Sequence, residues 1–391
     1  MAKILYGVAG EGMGHAIRSK TIIDYLSKKH DVVIATSKKP YDYLSRFYKN
    51  VIEVHGPHIA TKGSKISNTK TILENLNNLP KKSYDSLRKL IELVRKEQPT
   101  IIISDFEPFT NLISKLYRIP LISVDNIHTI SNCKLELPRK YKKDQVAAHM
   151  VTKTFINHAK YYFITTYFYP QPKNKKTILF PPILRKEILK AQPIKGKHFL
   201  VYQTYYTDNE LFPALKKIKE KFIVYGYKEE KEEDNIKFKK FTEKGFVEDL
   251  ASCKGVITNG GFTLLSEAVH LGKPILSVPF KNYFEQTMNA VYLDKLGYGK
   301  FSEVLDKKTI VNFIKKIPRY KDNLRKYNCA DNIQLFEKLD EVIAELESKK
   351  SYHKKGHLKR KLKAKTKKTK DYIKKKIKHA KKQPSKRRVR S

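Results

Sequence analysis

The chain of 391 residues carries 81 Lys and Arg against 39 Asp and Glu, a formal net charge of +42, and this length predicts two domains with additional segments. It contains no run of 18 or more apolar residues and no charged-then-apolar leader, which excludes a membrane-spanning class and predicts a cytoplasmic protein. Three widely spaced cysteines, Cys133, Cys253 and Cys329, indicate neither a zinc site nor a disulfide framework.

Alternating strand and helix patterns predict an α/β architecture with parallel sheets. In the first half, strands are expected at 3–8, 32–36, 51–54, 100–104, 120–124 and 161–165, with the clearest helix at 84–96. A proline-rich stretch from Tyr169 to Pro193 then predicts an interdomain hinge. In the second half, strands are expected at 198–202, 222–225, 255–258 and 274–278, followed by a long helical segment at 322–347.

Three glycines follow the first predicted strand, at Gly10, Gly12 and Gly14, and His15 then opens a helix. Their spacing differs from the GxGxxG fingerprint of dinucleotide-binding folds. In addition, no acid follows the next strand, 32–35, to hold a ribose. Both departures disfavour a nicotinamide-dependent dehydrogenase.

A second glycine turn, Gly260-Gly261, follows the strand at 255–258 and precedes an amphipathic helix that ends at Gly272. Backbone amides at a helix start, with the positive end of the helix dipole behind them, favour a diphosphate. Glu267 lies six residues beyond Gly261, about 9 Å along the helix at ~1.5 Å per residue. Its carboxylate is placed to accept hydrogen bonds from ribose hydroxyls.

A polar pair, Glu285 and Gln286, follows the next buried strand at 274–278. Because ligands bind at the carboxyl ends of strands in open α/β sheets, we expect this pair to face the same crevice as the glycine turn. Carboxylate and amide side chains are suited to sugar hydroxyls. Together these residues indicate a nucleotide-sugar site.

In this order, and roughly 250 residues apart, the two glycine motifs resemble those of the MurG-type glycosyltransferases of family 28. The resemblance implies a GT-B fold, in which two Rossmann-like domains with parallel sheets face a central cleft, here followed by a basic C-terminal tail. It implies that the loop of Gly10, Gly12 and Gly14 borders both the donor diphosphate and the acceptor. The donor motif contains Gly260, Gly261, Phe262, Thr263, Glu267, Glu285, Gln286 and Asn289.

These patterns set the expected domain boundaries. Residues 1–180 form an acceptor-side Rossmann-like domain, and 181–196 form the hinge. Residues 197–320 form the nucleotide-sugar donor domain, 321–348 a C-terminal helical segment, and 349–391 a disordered polybasic tail.

The transfer reaction needs a base that takes the proton of the acceptor hydroxyl. His15 is the first candidate, because it holds the family position and imidazole titrates near neutrality. Asp105 and Asp125, each at a predicted strand end, are the other candidates. The neighbouring acceptor-side residues are Glu107, Asn126 and His128. Acids at strand ends are also ordinary helix caps, so both interpretations stay open for them.

Two further residues concern the donor. The segment 244–250 resembles the loop that holds uracil in the family, where Phe246 contacts the base or packs in the core. The family usually opens its second domain with a glycine- or serine-rich turn, whereas this chain has Val201–Asp208 without glycine. Thr204 is the residue expected to meet a phosphate there.

The resemblance implies an inverting transfer of a hexose or N-acetylhexosamine from a UDP-sugar to a lipid-linked or cell-envelope acceptor, such as a glycolipid or an envelope precursor. No metal and no cofactor are expected. A UDP-GlcNAc 2-epimerase is the enzymatic alternative, because the same fold hosts that reaction. A nucleic-acid-binding protein on a degenerate GT-B scaffold is the other.

The tail at 349–391 contributes half of the net charge, with 22 Lys and Arg against one acid, Asp371. It has too few large apolar residues to bury a core. Three interpretations compete: a solvated arm without a partner, a segment that binds anionic lipid headgroups, and a segment that binds nucleic acid. The lipid interpretation predicts peripheral attachment at the inner face of the cell membrane.

Overall fold

The computed structural model describes residues 1–55, 61–62, 65–66, 83–203, 211–227 and 229–349. Two seven-stranded sheets organise them. The chain divides into two compact units, of which the first, Met1–Lys338, contains both sheets. The described residues of the second unit, 339–349, continue a helix that begins at 333.

The first sheet is parallel throughout, in the order β3-β2-β1-β6-β7-β8-β9. A short antiparallel pair, β4 and β5, lies apart from it. The strands of this half are β1 (Lys3–Val8), β2 (Asp31–Thr36), β3 (Val51–Glu53), β4 (Thr61–Lys62), β5 (Lys65–Ile66), β6 (Ile101–Asp105), β7 (Leu121–Asp125), β8 (Tyr161–Thr165) and β9 (Thr177–Phe180). The central strands β6 and β7 are buried along their whole length, as expected for a parallel sheet covered on both faces.

The second sheet has the order β12-β13-β11-β10-β14-β15-β16, and only its edge strand β12 runs antiparallel to its neighbour. Its strands are β10 (His198–Tyr202), β11 (Lys221–Tyr225), β12 (Lys231–Glu233), β13 (Ile236–Lys239), β14 (Val256–Thr258), β15 (Ile275–Ser277) and β16 (Gly299–Phe301). The strand order reverses between β1 and β6 in the first sheet and between β10 and β14 in the second. Ligands of open α/β sheets bind at such reversal points.

Helices cover both sheets. In the first half they are α1 (Met13–Leu26), α2 (Lys38–Leu44), α3 (Tyr84–Glu97), α4 (Pro108–Tyr117), α5 (Thr129–Asn132) and α6 (Lys142–Phe155). The later helices are α7 (Lys186–Lys190), α8 (Leu211–Lys216), α9 (Glu243–Ser252), α10 (Phe262–His270), α11 (Phe284–Lys295), α12 (Lys307–Lys315), α13 (Ile317–Leu324) and α14 (333–349). None of the described helices is long and apolar enough to cross a membrane.

The two sheets of the first unit also meet through side chains. Ile130 and Tyr141 of the first half share an apolar cluster with residues of α11, including Phe284 and Met288. The ring of Phe168 stacks on Tyr292 of α11, with centroids 4.1 Å apart. These contacts hold the carboxyl edges of both sheets toward each other.

The expected α/β class is confirmed, and each strand predicted from the sequence is present to within one residue at either end. The stretch at 169–193 is not irregular throughout, because β9 and α7 lie within it. The predicted helical segment at 322–347 is also corrected, because α13 ends at Leu324 and α14 begins only at 333. Thr204 and the tail at 350–391 lie outside the described residues.

Candidate active site

Two helix N-termini meet where the sheets face each other. Gly12 is the N-cap of α1, directly after β1, and Gly261 is the N-cap of α10, directly after β14. Within these two described helices, neither start has a side-chain cap or an acid in its first turn. The hydroxyl of Thr263 donates to the Gly14 carbonyl oxygen at 3.2 Å, which joins the two starts. Two convergent positive dipole ends form a favourable place for a diphosphate.

At two of the predicted glycine positions, a neighbouring side chain lies too close for a larger residue. A Cβ atom at Gly14 would lie 2.7 Å from the Thr263 hydroxyl, so a larger residue would separate the two helix starts. Gly260 has φ of 104°, and its Cβ atom would lie 2.9 Å from the Ser277 hydroxyl. Glycine therefore fixes the path of both loops.

His15 and Asp105 form a pair on the first-half side of this cleft. Nδ1 of His15 lies 2.9 Å from Oδ1 of Asp105, and the His15 side chain keeps 12% exposure, against 1% for Asp105. Arg18 donates to both carboxylate oxygens, from Nε at 2.7 Å and from Nη2 at 2.6 Å. Burial tends to raise the pKa of Asp105, but the charges of Arg18 and His15 outweigh it and hold this pKa at about 2. Asp105 is therefore ionised at neutral pH.

Asp125 and His128 form a closed pair in the core, which corrects the expectation that they face the acceptor. Asp125 accepts from the His128 backbone amide at 2.8 Å, and its other oxygen accepts from Ser123 at 2.7 Å and lies 2.7 Å from His128 Nδ1. Nε2 of His128 lies 3.1 Å from the Ile156 carbonyl oxygen. Both residues are buried, and each of these contacts lies within the first half.

Glu107 is a helix cap rather than an acceptor-side residue. Its carboxylate accepts from the backbone amides of Phe109 at 3.0 Å and Thr110 at 2.6 Å, at the start of α4. Burial raises the pKa of Glu107 to about 7, against the opposing effect of these two amides. This is the capping alternative that the sequence left open.

Glu267 is held by a residue that the sequence did not single out. Arg185 donates to both of its carboxylate oxygens, from Nε and from Nη2, at 2.8 Å each. Both side chains are buried, with 2% exposure for Glu267 and 7% for Arg185. Nothing in the local sequence around Arg185 signals this pairing, because its partner is 82 residues away.

Phe246 lies in helix α9 and not in the predicted loop. Its ring is buried and packs edge-on against Tyr225, with centroids 5.1 Å apart, so it cannot stack on a base. Phe241 precedes this helix, contacts the Phe246 ring at 5.2 Å and is 48% exposed. Its ring is therefore accessible at this edge of the second sheet. Phe262 is likewise buried, stacked on Tyr167.

The polar residues of α11 have different roles. Oε1 of Glu285 accepts from Nδ2 of Asn126 at 2.8 Å, across the two halves. Oε1 of Gln286 accepts from the Phe280 amide at 3.0 Å, and Nδ2 of Asn289 donates to the Gly260 carbonyl oxygen at 3.2 Å. Glu285 therefore lies in the cleft, while Gln286 and Asn289 brace the loops around it.

The matching family model is described as glycosyl transferase family 1 and covers residues 2–318. An uncharacterized glycosyltransferase of Methanosarcina mazei is 23% identical over 335 residues, covering 76% of this chain and 85% of the relative. One from Methanosarcina acetivorans is 23% identical over 341 residues, covering 79% and 86%.

Solved structures agree at the level of the fold. The calicheamicin glycosyltransferase CalG4 superimposes with a TM-score of 0.61 at 14% identity, covering 88% of this chain and 98% of that one. A Phytolacca americana structure, UGT2 complexed with UDP-2fluoro-glucose and pterostilbene, gives 0.62 at 14% identity, covering 89% and 100%.

Two facing parallel sheets and a shared cleft define a glycosyltransferase with the GT-B fold. Since the family model spans most of the sequence, the chain belongs to glycosyl transferase family 1.

Proposed function

We propose that the protein is an inverting glycosyltransferase that moves a hexose or N-acetylhexosamine from a UDP-sugar to a lipid-linked or cell-envelope acceptor. The observation that carries the proposal is the pair of convergent helix starts at Gly12 and Gly261, with His15 and Asp105 beside them. This arrangement supports a diphosphate site next to a base, as in the MurG-type enzymes that the glycine loops resemble. The stretch at 181–196 is the proposed hinge between the two halves.

The chemistry follows from the positions of the charges. We assign the proton of His15 to Nδ1, which then donates to Asp105, although Nη2 of Arg18 lies 2.7 Å from the same nitrogen. In this tautomer Nε2 is left to take the proton of the acceptor hydroxyl. As that proton leaves, the acceptor oxygen forms a bond to C1 of the sugar, and the bond from C1 to the UDP oxygen breaks. Attack from the opposite face inverts C1. The two helix starts stabilise the negative charge that grows on the departing UDP.

Asp105 acts in this scheme by orienting His15 and stabilising its charged form. It is a poor proton acceptor itself, because Arg18 and His15 hold its pKa at about 2. Of the three predicted bases, His15 is therefore the one that we retain.

Donor recognition divides among three side chains. The exposed ring of Phe241 is placed to stack on the uracil base. Glu267, fixed by Arg185, is proposed to accept from the ribose hydroxyls, because an ionised carboxylate has acceptor sites beyond the two used by the guanidinium. Glu285 is proposed to accept from a sugar hydroxyl.

A membrane acceptor is supported by the surface of α6. Among its residues only Thr152 is fully buried, and the apolar side chains Val146, Met150 and Val151 are exposed. Its lysines are Lys142, Lys143 and Lys153. Apolar side chains flanked by lysines fit an anionic lipid surface. The inner face of α6 packs through Ala148 in the same cluster as Phe284 of α11, so such a surface would lie next to the cleft.

The basic tail at 349–391 is proposed to add to this attraction, since each Lys or Arg near an anionic surface contributes about 1 kcal/mol. Sedimentation with vesicles, with and without phosphatidylserine, tests the surface. Replacing Val146, Met150 and Val151 by Ser should weaken binding in full-length protein and in a chain ending at 349. Binding that depends on the tail alone would remove α6 from the proposal.

The reaction itself is tested by release of UDP. A thermal-shift screen of nucleotide sugars identifies the donor, and extracted membrane lipids serve as acceptors. We expect UDP to appear only when both are present, together with a glycosylated lipid. Release of UDP without an acceptor, with a new sugar epimer as product, would instead identify an epimerase.

A further inference from the structure

Asn126 lies between two charged side chains of opposite sign. Its Oδ1 accepts from Nη1 of Arg18 at 2.8 Å, and its Nδ2 donates to Oε1 of Glu285 at 2.8 Å. Arg18 and Asn126 are buried. Arg18 belongs to α1 and Asn126 follows β7, whereas Glu285 belongs to α11 of the second half.

The orientation of this amide follows from its neighbours. A guanidinium only donates hydrogen bonds, and an ionised carboxylate only accepts them. The amide oxygen must therefore face Arg18 and the amide NH2 group must face Glu285. The reverse orientation would place NH2 against a donor and oxygen against an acceptor, and would lose both bonds.

Arg18 also contacts the base pair described above. Its Nε and Nη2 donate to Asp105, and Nη2 also lies 2.7 Å from Nδ1 of His15. Its remaining nitrogen, Nη1, donates to Asn126. His15, Asp105, Arg18, Asn126 and Glu285 thus form one continuous chain of hydrogen bonds. The chain runs from the proposed base in one half to the proposed sugar-binding carboxylate in the other.

We propose that Arg18 and Asn126 are positioning residues that place the donor-sugar carboxylate of Glu285 in register with His15. The inference rests on the proposed function, because it takes Glu285 as a contact of the donor sugar. Arg18 fixes the amide of Asn126, the amide fixes one oxygen of Glu285, and the remaining acceptor sites of Glu285 stay directed at the sugar. The hydroxyl of Tyr283 hydrogen-bonds to the same carboxylate.

The arrangement offers an isosteric test. Asn126→Asp keeps the contact with Arg18 but sets a carboxylate against Glu285. The variant loses the hydrogen bond to Glu285 and places two carboxylates in contact. We therefore expect KM for the UDP-sugar to rise about 10- to 100-fold. The Kd for UDP, which lacks the sugar, should change less than about 2-fold. Asn157→Asp, at an exposed position, is the matched control for the added charge.

A second substitution should restore the link in the opposite direction. In Asn126→Asp/Glu285→Gln, the new carboxylate accepts from Arg18 and from the new amide. In Glu285→Gln alone, the oxygen of the new amide can still accept from Nδ2 of Asn126, so this variant keeps the link and loses only the charge. In the double-mutant cycle, KM of the double variant for the UDP-sugar should therefore be at least about 10-fold lower than the two single effects combined would give.

The outcomes separate the two proposals. Additive effects in the cycle, or an unchanged KM in Asn126→Asp, overturn the positioning role of Arg18 and Asn126. Transfer by the wild type would still uphold the proposed function. Equal losses in UDP and UDP-sugar affinity also overturn the positioning role, because they indicate a merely structural one. A wild-type protein that binds UDP-sugars but transfers to no acceptor overturns the proposed function. Coupling between Asn126→Asp and Glu285→Gln in the Kd for the UDP-sugar would then still support the positioning role.

Discussion

The buried pair of Arg185 and Glu267 gives the strongest stability prediction. Arg185→Met keeps the side chain only as far as the position of Nε and leaves the Glu267 carboxylate buried without its partner, which costs about 3–5 kcal/mol. The unfolding entropy is about 2.1 cal/mol/K per residue near 60 °C. For the 338 residues of the first unit, that amounts to about 0.7 kcal/mol/K. The melting temperature should therefore fall by about 4–7 °C.

Calorimetric scans of three variants measure this effect. Arg185→Met/Glu267→Met replaces the whole pair by apolar side chains of similar volume and should melt within about 2 °C of the wild type. It should nevertheless lose UDP affinity, because the proposed ribose contact is gone. Arg88→Met is the matched control, since Arg88 and Glu92 form an exposed pair at 3.0 Å, and its melting temperature should be unchanged.

The reasoning is refuted if Arg185→Met melts like the wild type and like Arg88→Met. Equal melting would mean that the two side chains do not share a buried, dehydrated contact. A double variant that keeps full UDP affinity would remove Glu267 from the donor site while leaving the stability argument intact.

Three further predictions concern the loops and the titrating groups. His15→Ala should lower kcat by about 10²–10⁴-fold with an unchanged Kd for UDP; an unchanged kcat removes His15 as the base. Gly260→Ala should destabilise the fold by about 1–3 kcal/mol in urea unfolding and weaken UDP binding, since φ is 104°. Gly261→Ala, whose Cβ atom would meet nothing within 4 Å, is its control and should unfold like the wild type. Because the pKa of Glu107 rises from 4.5 to about 7 on folding, its stabilising contribution is present below pH 4.5 and is lost as pH rises through 7. Stability should fall by about 3 kcal/mol over that window, and Glu107→Gln should flatten the pH dependence of urea unfolding.

The strands were predictable because each buried parallel strand is a short apolar run bounded by turn residues. The strand β9 was missed because it lies within 169–193, a stretch rich in proline, and proline is typical of irregular structure. It forms the sheet edge, where fewer pairing and packing constraints act on the sequence. The edge strand β12 and its neighbour β13 were missed because they contain five lysines and glutamates among seven residues, which hides the apolar pattern of a strand.

The glycine loops were predictable because positive φ and close backbone approach leave a local signature in residue type. The partners of buried charges leave none. Asp105 and Asp125 both end predicted strands, yet only Asp105 lies beside His15, whereas Asp125 is enclosed with His128. Phe246 and Phe241 are both aromatic residues near one sheet edge, and only burial separates them.

The carboxylates of the proposed donor site are therefore held by residues that are distant in sequence. Asn126 and Glu285 are 159 residues apart, and Arg185 and Glu267 are 82 apart. In each contact a charged group is fixed by hydrogen bonds from another segment. The contact between Asn126 and Glu285 joins the two halves, so the second half alone cannot set the orientation of Glu285. The proposed contact of Glu285 with the donor sugar thus requires that both halves are already docked. The energy of that docking comes from the apolar contacts of α11 with Ile130 and Tyr141, far from the reacting atoms.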